Sequence, residues 1–407
     1  MTTDRRTRFR DYMRRLDPTG DPAQAVASGF YVAPPNAVSQ RIATRIELEP
    51  ASSHLLVGGI GSGKTTELIA IERQLAEVED IFTVRVDVPS RHRLEKLKPG
   101  VLVALAATEV CAELKREEAL GVKVDDAVWA SFHRISVLTK GYWWHPSQDD
   151  PGDDHQWVQG MLEEPGLSED VKALSTLLIH VNGALQRHPV VLFDGLDRVA
   201  DLSLLASVLT EDVPALGRAG VGLVIVGPQS LRFSPQRFVE KEFETVHLHG
   251  SVSLDTGEGI VFLTAVLRAR ADEEMLPSDS AASLARWSGG LLRDLVALGR
   301  AAGAEAYAAG SDTIQAVHIS TAQDRFGRDL LLGCTKEMAA RLKELGPRRL
   351  YQGGYAVRRD LPATFTVATE LDQKLLMDRL IIEIPDTPVR YVLHPTIEPL
   401  IAGLGSS

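Results

Sequence analysis

Short, β-branched apolar runs alternate with longer stretches of helical periodicity through the first part of the chain. The runs fall at Leu55–Val57, Phe82–Val88, Val190–Phe193, Val221–Val226 and Thr245–Leu248, each of strand length and bounded by turn residues. Between and after them, apolar positions recur at three- and four-residue spacing over Thr65–Val78, Val101–Leu120, Ser168–Arg187, Asp201–Leu216 and Leu254–Arg270. This alternation predicts an α/β fold, a parallel sheet covered by helices. Ahead of the first strand lie an apolar, proline-stiffened segment, Phe30–Pro35, and a helix-like stretch, Asn36–Leu48.

Beyond Ser278 the pattern becomes helical, alanine-rich to Ala309 and then continuous from Ile314 to Leu345, where Gly346–Pro347 stops it. A short helix at Leu371–Leu380 and two strands, Ile381–Ile384 and Val389–Leu393, flank a turn at Pro385–Asp386–Thr387–Pro388. Helices followed by such a hairpin suggest a C-terminal winged-helix-like module. The expected division is an arm over 1–29, a core over 30–250, a helical lid over 251–320 and the terminal module over 321–407.

With 407 residues, 44% apolar and 24% charged, the chain is an ordinary globular sequence with room for two or three domains. No run of eighteen apolar residues occurs and Met1–Arg15 lacks a signal-like apolar stretch, so the expectation is a cytoplasmic protein without a membrane partner. Cys111 and Cys334 are too few for a disulfide framework or a metal knuckle. A net charge of −11 excludes a general nucleic-acid coat protein. Two local departures stand out. Arg5, Arg6, Arg8, Arg10, Arg14 and Arg15 crowd the N-terminus around Phe9 and Tyr12, as either a mobile, solvated terminus or a basic helix for nucleic acid, membrane or a partner. Between Lys140 and Lys172 there is no Lys or Arg but eight acids, with Tyr142, Trp143, Trp144 and Trp157 among them. This inserted loop is either a docking surface for a basic partner or a solvated cap on the core.

The chemistry concentrates at His54–Thr66, where an apolar strand meets a glycine-rich turn and a helix start. Gly58 to Thr65 matches G-x-x-x-x-G-K-[ST], the phosphate-binding loop. Glycines let the backbone amides of Gly59, Ile60, Gly61, Ser62, Gly63, Lys64, Thr65 and Thr66 turn toward a polyphosphate, and the positive helix end faces the same anion. Lys64 then bridges the outer phosphates and the Thr65 hydroxyl holds Mg2+. A carboxylate for the metal follows at the end of Val190–Phe193, as Asp194, in the manner of a Walker B element. Asp197 is the next carboxylate, either orienting the attacking water or capping the helix near Asp201 or pairing with Arg198. Gln229 or Ser230, after Val221–Val226, offers a polar sensor of the γ-phosphate. In Trp287–Leu295 a Gly-Gly turn opens a helix carrying Arg293 one turn inside, placed to reach back over the nucleotide. Tyr31 and Val32 lie in the lead-in that covers the base in such sites. No guanine-reading N-K-x-D stretch is present, which favours ATP and ADP.

Together these residues resemble the AAA+ and STAND group of P-loop ATPases, over roughly Phe30 to Ala402. The resemblance implies that Arg293 is the second sensor, that a lid of helices follows, and that the tail from Leu380 to Pro395 is like the winged helix closing origin-recognition-type ATPases. It also implies a trans-acting arginine finger, with Arg232 and Arg237 as candidates, and a winged-helix histidine, His394, which either contacts the β-phosphate of ADP or is structural. Arg198 and Gly195 stand where the family usually has acids, so hydrolysis is expected to be slow. Two functions follow. One is a nucleotide switch controlling assembly of a homo-oligomer or of a separate effector protein, as in bacterial signalling or anti-phage defence. The other is a DNA-associated ATPase that loads or positions a partner, with Arg341, Lys343, Arg348, Arg349, Arg358 and Arg359 as the tail's positive charges.

Overall fold

In the computed structural model the described residues are 2–35, 37–119, 126, 168–233, 239–255, 257–346, 351–352, 355–356, 360–361, 365, 367, 369–386 and 388–404. The acidic, tryptophan-bearing insertion, Arg237 and four of the tail arginines (348, 349, 358 and 359) lie outside them. The chain divides into two compact units, one of Val38–Val57 and Glu67–His247, the other of Met1–Ala37, Gly58–Thr66 and Leu248–Ser407.

The first unit is built on a five-stranded parallel sheet. Its strands are β1 (Ser53–Gly58), β2 (Ile81–Asp87), β3 (His188–Asp194), β4 (Gly222–Pro228) and β5 (Thr245–Leu248), ordered β2-β3-β4-β1-β5. β2 and β3 run in register from Ile81↔His188 to Asp87↔Asp194, and β3 and β4 from Val190↔Gly222 to Phe193↔Ile225. β4 is buried along its whole length and β3 at all but His188, as strands covered on both faces must be. Ile42 and Ile46, Leu68, Ile71 and Leu75, and the strand residues Leu56, Leu192 and Val224 form one core. All five expected strands are present, with small shifts at their ends. Val88, read as strand, begins a short helix, Val88–Arg91, because Pro89 has no amide for the ladder. Asp212 is fully buried and accepts the amides of Gly100 (2.6 Å) and Leu102 (2.8 Å), capping the helix Val101–Ala119. Burial still pushes its carboxyl up to about 7, against the pull of those amides.

In the second unit the N-terminal arm is a helix, Thr2–Arg15. The expectation of a mobile, solvated terminus is corrected here. Phe9, Tyr12 and Leu16 are buried with Leu267, Leu295, Leu298 and Ala302 in the core of the lid helices. Tyr12 donates its hydroxyl to the Gly299 carbonyl at 2.8 Å, and its ring lies where a side chain at Gly303 would be, 2.4 Å from a Cβ built there. Arg5 bonds Asp312 and the Ser311 carbonyl, both at 2.7 Å, and stacks on Tyr307. The apolar stripe at 9, 12 and 16 outweighs the charge of the arginines because they point elsewhere.

The lid helices are Gly257–Arg268, Ser278–Trp287, Leu292–Ala308 and Ala316–Leu330, followed by Lys336–Leu345. The run expected to continue from Ile314 to Leu345 is therefore two helices. Gly333, at φ +82°, breaks it, and the Thr335 hydroxyl restarts it by accepting the Met338 amide at 3.2 Å. Two antiparallel pairs follow, β6 (Tyr351–Gln352) with β7 (Tyr355–Ala356), and β8 (Ile381–Ile384) with β9 (Arg390–Leu393). Arg341 grips the buried Asp372 of helix Glu370–Met377 with two bonds of 2.9 and 2.8 Å, so it is a structural residue of the module and not a free positive charge for DNA. No described helix is long and apolar enough to cross a membrane.

Candidate functional site

Leu55, Leu56 and Val57 of β1 are fully buried and deliver the chain into the turn 58–63, from which the helix Lys64–Leu75 leaves. Gly61 and Gly63 have φ of +82° and +105°, conformations that cost a residue with a Cβ about 1 kcal/mol or more. Lys64 is buried, and its ammonium donates to the carbonyls of Gly58 and Gly59, both at 3.0 Å. The first amides of its helix have no partner within the helix, and the Ser62 hydroxyl is buried without a hydrogen-bond partner. A glycine cradle, an orphan hydroxyl, a helix N-terminus and a buried ammonium form the donor set of a polyphosphate site.

Two further groups of the same unit hold this loop. His249 follows β5 directly, and its Nε2 lies 2.9 Å from the Ser62 carbonyl, so Nε2 carries the proton and donates. The His249 carbonyl lies only 1.9 Å from the point where Gly58 would carry a Cβ, which makes glycine obligatory at 58. Arg293, in the first turn of the helix Leu292–Ala308, donates its backbone amide to the Gly61 carbonyl at 3.1 Å. Its guanidinium is exposed. The helix Leu292–Ala308 thus starts against the turn 58–63. Val32 packs against the lid core, and Arg270 stacks on Phe30 and donates to its carbonyl at 3.0 Å, which fixes the lead-in that carries Tyr31.

In the sheet unit, Asp194 ends β3 and is buried. Its Oδ1 accepts the Gly195 amide at 2.8 Å. Gly195 turns at φ +85° because Pro89 fills the place of a side chain, 2.4 Å from a Cβ there. β4, the strand between β3 and β1, ends at Pro228, and the buried Gln229 follows it. A parallel sheet with the glycine loop leaving β1 and an acid closing β3 decides the class. The fold is that of a P-loop NTPase.

Other expectations for the P-loop NTPase separate at this point. Asp201, and not Asp197, caps the helix Leu202–Arg218, accepting the amides of Ser203 (2.9 Å) and Leu204 (3.1 Å). Asp87 pairs with Asp194 across β2 and β3, a second carboxylate at the strand ends that sequence reading passed over. Arg232 lies over Phe233 at 5.6 Å. His394, considered as a nucleotide ligand, is fully buried within its own unit. Its Nδ1 accepts the Thr396 amide at 3.3 Å, and its Nε2 faces Asp294 Oδ2 at 3.3 Å. Asp294 also pairs with Arg379. His249 and the Asp294 cluster were missed because each depends on partners more than eighty residues away.

No protein-family model and no curated protein matches the chain. Solved structures do. A Walker-type ATPase of Pyrococcus abyssi aligns at 13% identity with a TM-score of 0.45, over 92% of this chain and 99% of that one. The Aeropyrum pernix ORC1 protein, solved in complex with DNA, aligns at 16% identity and TM-score 0.44 over 92% and 93%. The Thermotoga maritima RuvB Holliday junction branch migration motor aligns at 12% and 0.39 over 90% and 94%. Likeness at this level transfers no residue role to this chain.

Proposed function

We propose that the protein is an AAA+/STAND-type regulatory ATPase, a switch that binds ATP with Mg2+, hydrolyses it slowly and controls assembly through its nucleotide state. The observation that carries this reading is the 3.1 Å bond from the Arg293 amide to the Gly61 carbonyl. Through it, a group that moves the phosphate loop moves the start of the lid helix. In this reading Lys64 and the loop amides bind the phosphates, Thr65 and Asp194 serve Mg2+, and Asp197 orients the attacking water. Gln229 and the exposed Arg293 guanidinium distinguish ATP from ADP, and Tyr31 and Val32 contact the base. When bound, the metal neutralises charge on the phosphates. The absence of an acid at Gly195 and Arg198 supports slow turnover. Differential contacts in the two nucleotide states are what a switch requires.

The test is ATP turnover and particle mass of the purified protein beside Lys64→Ala, with and without duplex DNA. Removing one charge-assisted phosphate contact costs about 1.5–3 kcal/mol, so Lys64→Ala should weaken ATP binding roughly 10- to 100-fold and abolish any change in mass with ATP. Salt-sensitive stimulation of turnover by DNA would transfer the lead to a DNA-loading ATPase. With Arg341 committed to Asp372, the described residues supply little for that alternative.

A further inference from the structure

Along the arm helix, Arg6, Arg10 and Arg14 recur at four-residue spacing on its exposed face. With the lid helix Leu292–Ala308 this face forms a groove of about 780 Å³. Met13 and the half-exposed Tyr307 supply apolar surface to it, and Arg300 adds a fourth guanidinium. Arg14 is paired with Asp11 and Arg300 with Asp17, each at 3.0 Å. Arg6 and Arg10 meet no acid among the described residues. In a chain of net charge −11, this groove joins apolar surface to two arginines that meet no acid among the described residues. It has the form of a site for an acidic segment with aromatic anchors.

The sequence contains one segment of that chemistry. Residues 141–171 hold eight acids and no Lys or Arg, with Trp143, Trp144 and Trp157 among them. We propose that the groove of one copy receives the acidic, tryptophan-bearing segment of a second copy, so that the arm helix is a self-association surface. The tryptophans supply the desolvated anchors against Met13 and Tyr307, while Arg6 and Arg10 supply orientation and a salt-dependent encounter rate. This inference does not depend on ATP chemistry and is tested without nucleotide.

The experiment is sedimentation velocity of the full chain at low and moderate salt. Wild type should associate reversibly, and more weakly as salt rises. Arg6→Glu with Arg10→Glu should weaken association about tenfold. Asp149→Arg with Asp150→Arg should weaken it similarly, and the four changes together should restore it. Trp143→Ala with Trp144→Ala keeps the charge and should also weaken it. A labelled peptide of residues 141–167 should bind wild type, compete with association and fail on the Arg6/Arg10 variant. Both arginines are exposed, so an unchanged melting temperature will confirm that the variants fold. A wild type that stays monomeric at tens of micromolar overturns the proposal, as does association that ignores the arginines. If Arg6→Glu/Arg10→Glu instead abolishes duplex DNA binding and leaves self-association intact, the groove belongs to nucleic acid and the proposal is overturned.

Discussion

Two histidines in the sheet unit show how far hydrogen-bond accounting can go. Ser52 donates its hydroxyl to the Glu49 carbonyl at 2.6 Å and lies 3.0 Å from His54 Nε2. His54 must therefore carry its proton on Nε2, and its bare Nδ1 accepts from His247 Nε2 at 3.3 Å. The chain of donors closes only when the His54 ring is neutral. Burial first, then the neighbouring His247 and Arg45, depress His54 to about 4, and burial followed by Arg41 does the same for His247. In the unfolded chain both titrate near 6.5. Between about pH 4 and 6.5 the unfolded state binds more protons, so stability rises with pH across that window and is lost as pH falls through it. Each ring contributes a slope of up to about 1.4 kcal/mol per pH unit. Urea melts at pH 7 and pH 4.5 should show wild type losing more stability on acidification than His247→Gln. Equal losses would show that the pair does not titrate as described.

At the level of elements, the turn 58–63 works because backbone takes space that side chains would need. A Cβ on Gly61 would lie 2.6 Å from Arg293 Cβ, at a φ of +82°. Gly61→Ala should therefore cost about 1–3 kcal/mol of local strain and separate the loop from the lid helix, lowering nucleotide affinity at least tenfold by calorimetry while the sheet still folds. Affinity equal to wild type would mean that the turn tolerates the shift. Gly58, Gly61 and Gly63 were legible in the sequence because a phosphate loop is a local motif, written in consecutive residues. β1, β3 and β4 were legible for a related reason, since strands buried on both faces read as unbroken apolar runs. The docked arm was half visible: Phe9, Tyr12 and Leu16 form a helical stripe, yet the six arginines around them read as a solvated tail. Gly303, which makes room for Tyr12, carries no mark in the sequence. His249 was not legible at all, because its role is set by the Ser62 carbonyl, 187 residues away. Local patterns announced the glycine turn, and the long-range contacts that hold it in place are encoded by no periodicity.

Within the unit that holds the phosphate loop, the contacts form one continuous path. Gly61 accepts from the amide of Arg293, and the next residue, Asp294, is buried between Arg379 and His394. Arg379 follows the helix Glu370–Met377 in a left-handed conformation, φ +61°, which costs roughly 1–2 kcal/mol, and its guanidinium pairs with Asp294. His394 closes β9. One carboxylate therefore ties the first turn of the helix Leu292–Ala308 to both ends of the β8–β9 pair. Asp294→Asn keeps the size but leaves Arg379 without its counter-charge and removes the carboxylate charge beside His394 Nε2, a loss of about 2–3 kcal/mol for a partly exposed charged pair. Hydrogen exchange should then rise in β8, β9 and Glu370–Met377 without nucleotide, with β1 to β5 unchanged. The same variant tests the path as a transmitter. If the loop and the module communicate through Asp294, ATP should alter exchange in β8 and β9 of wild type and leave Asp294→Asn unaffected. Should ATP protect or expose those strands equally in both proteins, the coupling runs elsewhere and Asp294 is only a structural tie. A third result, no nucleotide effect in wild type, would leave the tie intact and count against the switch.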